Sequence, residues 1–460
     1  MRRFWSRAAL APVLDMDGSE RMILTGLLVA MYIALASLGH DVFYNRLSVG
    51  DQQFDDPIGA QMHKVRFVLA LAIIVTVIKT SSAAWAFQKV PIVFAPFVAW
   101  AVLSVAWTDP ETRGSVFFNS AVLAMIWISF PMVVHRIGLQ TAVTVSLKVT
   151  AWVCIASFLM AILVPSIGTH QAADMIQNAH AGRWRGIFAH KNGLGPWAAF
   201  GSVLLFTHSW MAVGSSRLFW WFARFCAICC LLLSGSATAI VMAVFLIGLH
   251  IFFSASKILP ITLVVLCSGI AIALAALFYS TAGELIFDAL GRDSTLTGRD
   301  RVWELALDYI GRSPWLGHGY YSSGGVDFLR QVSVTFSQNL GGPESGYLCL
   351  LLDLGVVGFV AFFIPCFFAL RNGFEWLNRV GPADRAGIEY MIMILMASLL
   401  QAVGETAPLL ATGFDGVNSF GPFFALMTLP KSPVGVKRSE LRLAKSWVEE
   451  RDELHRRRSL

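Results

Sequence analysis

The feature that most constrains this chain is a succession of long apolar runs, separated by short polar breaks, that begins at Met22 and continues almost to the C-terminus. A helix needs roughly 20 apolar residues to cross the hydrocarbon core of a bilayer. Inside lipid, every backbone N–H and C=O must also find its partner within the protein. Candidate spans fall near 22–39, 65–80, 90–107, 115–134, 142–165, 192–212, 218–234, 236–255, 258–280, 346–370, 388–403 and 416–430. They predict an all-α, polytopic membrane helical bundle of about 12 transmembrane helices. Residues 1–460 would form a single integral membrane domain. Only 14% of the residues are charged and 56% are hydrophobic, which excludes a disordered, collagen-like or disulfide-stapled chain. The seven cysteines all sit in apolar runs and are expected to pack as small apolar groups.

An even number of spans places both termini on one side. The tails and even-numbered loops carry about twice as many Lys and Arg as the odd-numbered loops, so the positive-inside rule predicts cytoplasmic N- and C-termini. The basic tail at 431–460, ending in Arg456, Arg457 and Arg458, reads as a cytoplasmic anchor. The net charge of +6 is then an excess that membrane lipids with anionic headgroups attract, and no nucleic-acid partner is expected.

Three outward loops are long: 39–64, 166–191 and 281–345, the last being by far the largest. Within it, Thr297-Gly-Arg-Asp300 reads as a helix N-terminus with Thr297 as N-cap. An amphipathic surface helix follows, with Trp303, Ala306, Leu307 and Ile310 on one face, and Gly311 and Pro314 stop it.

The chemistry-bearing residues gather at the ends of these loops. The 166–191 loop closes with Arg183, Arg185, His190 and Lys191, followed by Asn192, a composition suited to an anion. Planar arginine forks fit a phosphate or diphosphate better than a point charge does. The glycines at 186 and 193 would let the backbone come close. A cationic rim resting on lipid phosphates is the competing reading.

Arg299 and Arg301 lie in the first turn of the surface helix, where they oppose the helix dipole unless an anion sits there. Ion pairing with Asp293, Asp300 or Glu304 is the alternative. Downstream, Pro314-Trp-Leu-Gly-His318-Gly-Tyr320 offers two further binding candidates, or a plain turn. Just before the tenth span, Glu344-Ser345-Gly346-Tyr347 places a carboxylate where loop meets membrane. Partial burial there would raise its pKa and let it act as a base, and a helix-capping acid is the alternative. Asp353, inside the run, reads as paired with a polar partner such as Lys148. Asp15 and Asp17 are isolated, the ten histidines show no ligand spacing and no nucleotide-binding glycine pattern occurs, so no metal or cofactor is expected.

Three of these segments, RWRGIFAHKNGLG (Arg183 to Gly195), LTGRDRVWELALDYIGRSPWLGHGY (Leu296 to Tyr320) and ESGYLCLLLDLGVVG (Glu344 to Gly358), together resemble the O-antigen ligase and Wzy-type polymerase superfamily. The likeness is greatest to its ExoQ-like exopolysaccharide-polymerase branch, and LSVAWTDP (Leu103 to Pro110) is a shorter match. The resemblance implies a metal-independent, inverting glycosyltransferase that joins undecaprenyl-diphosphate-linked repeat units at the periplasmic face of the inner membrane, which makes 281–345 the large periplasmic loop. Its partners would be that lipid-linked glycan, an acceptor glycan and membrane lipids, and it admits a chain-length regulator.

Arg185 and Arg299 match the arginines the family uses for the diphosphate, and these two with Glu344 form the expected catalytic set. Arg183, His190, Lys191, Asn192, Arg301, His318, Tyr320 and Tyr347 form the expected substrate-binding set. Where many members carry His-Asn, this chain has Glu344-Ser345, so His318 and His190 stay open as alternative bases. A ligase that passes finished glycan to lipid A core shares every motif. A flippase or transporter for lipid-linked oligosaccharides would place ionisable groups deeper in the bundle.

Overall fold

A computed structural model describes residues 17–35, 57–172, 180–188, 190–212, 215–255, 299–322, 325–336, 343, 345–377, 380, 382–405, 424 and 426–428. Among them the chain is helical, with one isolated bridge pairing Thr169 and Trp184. The helices are α1 (Gly18–Leu35), α2 (Pro57–Thr80), α3 (Ala83–Phe87), α4 (Ala95–Leu103), α5 (Arg113–Ile137), α6 (Leu139–Leu163), α7 (Pro165–Gly168), α8 (Lys191–Thr207), α9 (Arg217–Ser234), α10 (Ala237–Ala255), α11 (Arg299–Arg312), α12 (Gly325–Phe336), α13 (Gly346–Leu377) and α14 (Pro382–Gln401).

Five of these, α5, α6, α9, α10 and α13, are long and apolar enough to cross a membrane. The chain is therefore a membrane protein with apolar helices, and its described residues hold no strand. The expected spans at 258–280 and, for the most part, 416–430 lie outside the described residues, and a total of about twelve spans is not established by the five.

Two ends of the bundle can be told apart by what bonds to what. At one, the start of α1 meets the ends of α2 and α5: Arg136 donates to both carboxylate oxygens of Glu20 at 2.6 and 2.7 Å and to the Thr80 carbonyl at 3.0 Å. Gln140, opening α6, reaches the Met211 carbonyl beyond the end of α8. At the opposite end, here the loop end, Lys191 Nζ donates to the carbonyl of Gly235 between α9 and α10 at 3.3 Å. There the amide of Gly346 also bonds to the carbonyls of Ala402 and Glu405.

Small side chains allow the close crossings. A methyl on Gly201 of α8 would meet Cys154 Sγ of α6 at 2.8 Å and Ala227 Cβ of α9 at 2.9 Å. Such small-residue contacts substitute for the hydrophobic drive that lipid does not supply. The cysteines act in this way: Cys154, Cys226, Cys230, Cys349 and Cys366 are buried free thiols.

The loop-end segment 299–336 holds two helices rather than the single surface helix the sequence suggests. The buried face of α11 is Val302, Ala306 and Tyr309, packed on Phe328 and Val332 of α12 and on Leu352 of α13. Leu307, expected on that face, is exposed, because the helix meets two partners rather than a flat membrane surface. The expected N-cap Thr297 lies outside the described residues, and the helix runs through Gly311 to Arg312.

α13 is broken at Gly355, whose φ of 62° and ψ of −171° suit glycine alone. A break inside a span strands backbone groups that lipid cannot satisfy, and here the Pro314–Tyr320 turn takes them up. His318 and Gly319 donate their amides to the carbonyls of Leu352 and Asp353 at 2.9 and 2.8 Å. Trp100 Nε1 reaches the Leu354 carbonyl at 3.0 Å. In return the amides of Val356 and Val357 bond to the carbonyls of Pro314 and Trp315 at 2.8 and 3.4 Å. Any Cβ at Gly317 would strike the Asp353 carbonyl, and one at Gly355 would strike that of Trp315.

Candidate active site at the loop end of the bundle

The stretch from His180 to Lys191 is built as a folded plug on the loop end. Arg185 and Gly186 both donate their amides to the Gly168 carbonyl at 2.9 Å, and Arg185 Nε donates to the Ile167 carbonyl at 2.9 Å. The backbone at Gly186 lies close against Ser157 of α6, and that at Gly193 against Phe188. Trp184 is tied by its amide to the Leu233 carbonyl at 3.0 Å, which sets Arg183 against Gly235.

His190 caps α8, with Nδ1 accepting the Asn192 amide at 3.2 Å, so the neutral ring carries its proton on Nε2. His170 Nε2 accepts the Lys191 amide at 3.2 Å. The rings of His170, His180 and His190 pack edge to face with centroids 5.2 to 5.7 Å apart. Burial, first, and then the neighbouring His170, His180, Lys191 and Arg185 pull the pKa of His190 down to about 3. It is neutral at physiological pH and a poor base. Among the described residues no group of three or more His, Cys, Asp or Glu is arranged to hold a metal ion.

From this plug a continuous rim leads to the start of α13. Ser236 Oγ donates to Asn192 Oδ1 at 3.2 Å, and Thr238 Oγ1 donates to Glu405 Oε1 at 3.5 Å. Glu405 and Ala402 take the Gly346 amide at 3.0 and 2.8 Å, and Ser345 Oγ reaches the Ala402 carbonyl at 3.4 Å. Finally Trp303 Nε1 of α11 donates to the Pro343 carbonyl at 2.9 Å, which holds the first turn of α11 beside the entry to α13. The Arg183–Asn192 cluster and the Arg299–Arg301 turn, more than a hundred residues apart in sequence, thus lie at the same end of the bundle, joined through this chain of bonds.

The expected site residues fare differently. Arg183, Arg185, His190, Lys191 and Asn192 are brought together. Arg301 is exposed. Of the carboxylates that could pair with it, Asp293 and the side chain of Asp300 lie outside what the structure describes, so the ion-pair alternative stands beside the anion reading. Glu344 and the side chain of Arg299 lie outside what the structure describes. His318 and Tyr320 sit in the turn that seals the α13 break, with His318 Nε2 at 3.1 Å from the Tyr309 carbonyl and Tyr320 fully buried. The Tyr347 hydroxyl donates to the Leu399 carbonyl at 2.8 Å and ties α13 to α14. Asp353 has its polar neighbour in Ser322, 3.4 Å away.

Sequence reading missed His170, His180, Ser236, Thr238 and Glu405. Only Glu405 carried a signal, as an acid at the end of an apolar run.

Residues 222–363, covering most of α9 through the α13 break, match the family model described as O-antigen ligase. An O-antigen ligase of Pseudomonas aeruginosa is 29% identical over 132 residues, 29% of this chain and 31% of the relative. The exopolysaccharide production protein ExoQ of Rhizobium meliloti is 34% identical over 149 residues, 29% of this chain and 33% of the relative. The chain spans about a third of the length of these curated relatives. The resemblance read from the sequence is borne out over that region: this chain is similar to the O-antigen ligase family and to both of these relatives.

Proposed function

We propose that the protein is an inner-membrane glycosyltransferase, with both termini cytoplasmic, that polymerises undecaprenyl-diphosphate-linked repeat units at the periplasmic face. The observation that carries the reading is that Arg183, Arg185 and Lys191 and the turn bearing Arg301 lie at the same end of an apolar bundle, linked by one chain of hydrogen bonds. A diphosphate leaving group gains negative charge as its glycosidic bond breaks, and preorganised arginines stabilise that charge. Arg185 and Arg299 take this role. Glu344 is the general base for the acceptor hydroxyl, and Glu405, beside the start of α13, is its rival. His190 is ill suited to the role, because its depressed pKa makes it a weak base and its Nδ1 is engaged by the Asn192 amide. The large loop at 281–345 faces the periplasm in this reading, and a chain-length regulator is a further partner.

A ligase reading draws on the name of the Pseudomonas relative. Deleting the gene and complementing it with wild type or Arg185→Ala separates the two. A polymerase leaves single lipid-linked units in the mutant, and a ligase leaves long chains stranded on the lipid. Full-length polymer from the Arg185→Ala strain, at normal protein level, would sink the diphosphate assignment.

A further inference from the structure

At the end of the bundle opposite the candidate active site, the turn between α8 and α9 opens a cavity of about 640 Å³ lined by Ser209, Trp210, Arg217, Trp220, Trp221 and Arg224 among others. α8 and α9 connect the two features: Lys191 and Ser234 lie at the loop end, Ser209 and Arg217 at this one. Arg217 and Arg224 are seven residues apart on α9, which puts them on one face about 10 Å apart along the axis.

Arg224 is held rigidly. Its Nε donates to the Leu205 carbonyl at 3.0 Å and one Nη to Ser209 Oγ at 2.7 Å, with the guanidinium over the rings of Phe206 and Trp221 at 5.0 and 4.8 Å. Of the five donors on a guanidinium, these bonds use two. No carboxylate pairs with Arg217 or Arg224 among the described residues, and the chain has no Asp or Glu at all between Asp174 and Glu284. Glu389 of the neighbouring α14 is turned onto Arg385 at 2.7 Å. Two cations placed this way, one oriented by its own bonds, lack a counter-charge among the described residues.

A second, independent observation says what kind of anion fits. From the cavity, an exposed apolar stripe runs along α9 through Trp221, Phe225, Ile228 and Leu232, spaced at one helical face. Trp210 and Trp221 are both exposed at the rim, where indoles sit at the headgroup level of a bilayer. A free phosphate would use the arginines and leave the stripe idle, whereas a phospholipid uses both.

We infer that this cavity binds the phosphodiester headgroup of an anionic phospholipid in the leaflet opposite the candidate active site, its acyl chains lying along the α9 stripe. The site is distinct from the lipid-linked donor's and does not depend on the proposed glycosyl transfer. Its occupant would neutralise Arg217 and Arg224 and fix the α8–α9 turn, and through these helices the plug that carries Arg183 and Lys191.

The test uses the full-length protein, released from mixed micelles of phosphatidylglycerol and phosphatidylcholine and weighed intact with its retained lipids. Phosphatidylglycerol should be retained in preference. Arg217→Gln and Arg224→Gln should each lower that preference about five-fold, and the distant, exposed Arg312→Gln should leave it unchanged. Arg224 also holds α8, so if its variant does not fold, Arg217→Gln decides. Excess inorganic phosphate should not displace the lipid. Equal retention of the two lipids, an unaltered preference in well-folded Arg217→Gln, or displacement by inorganic phosphate would each overturn the assignment.

Discussion

Replacing Gly355 by alanine tests the account of the broken helix most directly. The residue occupies a backbone region that costs other residues about 1–3 kcal/mol, and its Cβ would overlap the Trp315 carbonyl. That contact is backbone against backbone, so no side chain can swing away. Relief must come from parting the 314–319 turn from α13, which breaks one or more of the bonds His318 N–Leu352 O, Gly319 N–Asp353 O and Val356 N–Pro314 O, now 2.8 to 2.9 Å long. Each buried group left unpaired costs roughly 1–3 kcal/mol. Strain and one broken bond together come to about 2–6 kcal/mol, a large part of an ordinary stability of about 5–15 kcal/mol. The expected outcome is a marked loss of monodisperse protein in detergent and a thermal midpoint lowered by several degrees. Gly317→Ala, whose Cβ would strike the Asp353 carbonyl, should reproduce it. An alanine at 355 that leaves yield and midpoint unchanged would refute the claim that the break is sealed by this turn.

Four further outcomes follow from the same geometry. Arg136→Ala should cost about 3–5 kcal/mol by stranding the buried Glu20 carboxylate, and pairing it with Glu20→Leu should recover much of the folded yield seen by size exclusion. His190 stays neutral in the folded protein down to about pH 3, whereas the unfolded chain takes up its proton near 6.5. Stability is therefore unaffected above that pH and falls by up to about 1.4 kcal/mol per unit as pH drops from 6.5 towards 3, a slope that His190→Gln should flatten in thermal melts. Arg185→Lys keeps the charge but loses the fork, so polymer yield should drop clearly, with Arg185→Ala lower by roughly 100-fold to 1000-fold in rate. Glu344→Gln should abolish polymer while protein level holds, and if Glu405→Gln does so instead, the base is Glu405.

The sequence by itself determined the solvent this chain folds in and most of its helices. Apolar runs of membrane-crossing length admit little but helices, because lipid offers the backbone no partner, and ten of the twelve runs coincide with described helical segments. It also marked the Arg183–Asn192 cluster, since cations standing together on a loop need no tertiary information to be seen.

What the tertiary structure decided is which polar groups meet. Glu405 and Thr238 are 167 residues apart, and nothing in local spacing announces a contact closed only by the packing of α10 and α14. The Gly-His-Gly-Tyr turn read as a binding motif or a plain turn, and only the α13 break shows where its amides are engaged. The face of α11 went the same way: periodicity gives the stripe, but the partners that press on it decide which edge of the stripe is buried. Local physics fixes the elements because backbone hydrogen bonding in lipid is satisfied within each one. The loop-end site belongs to the fold because its members come from six separate stretches of chain.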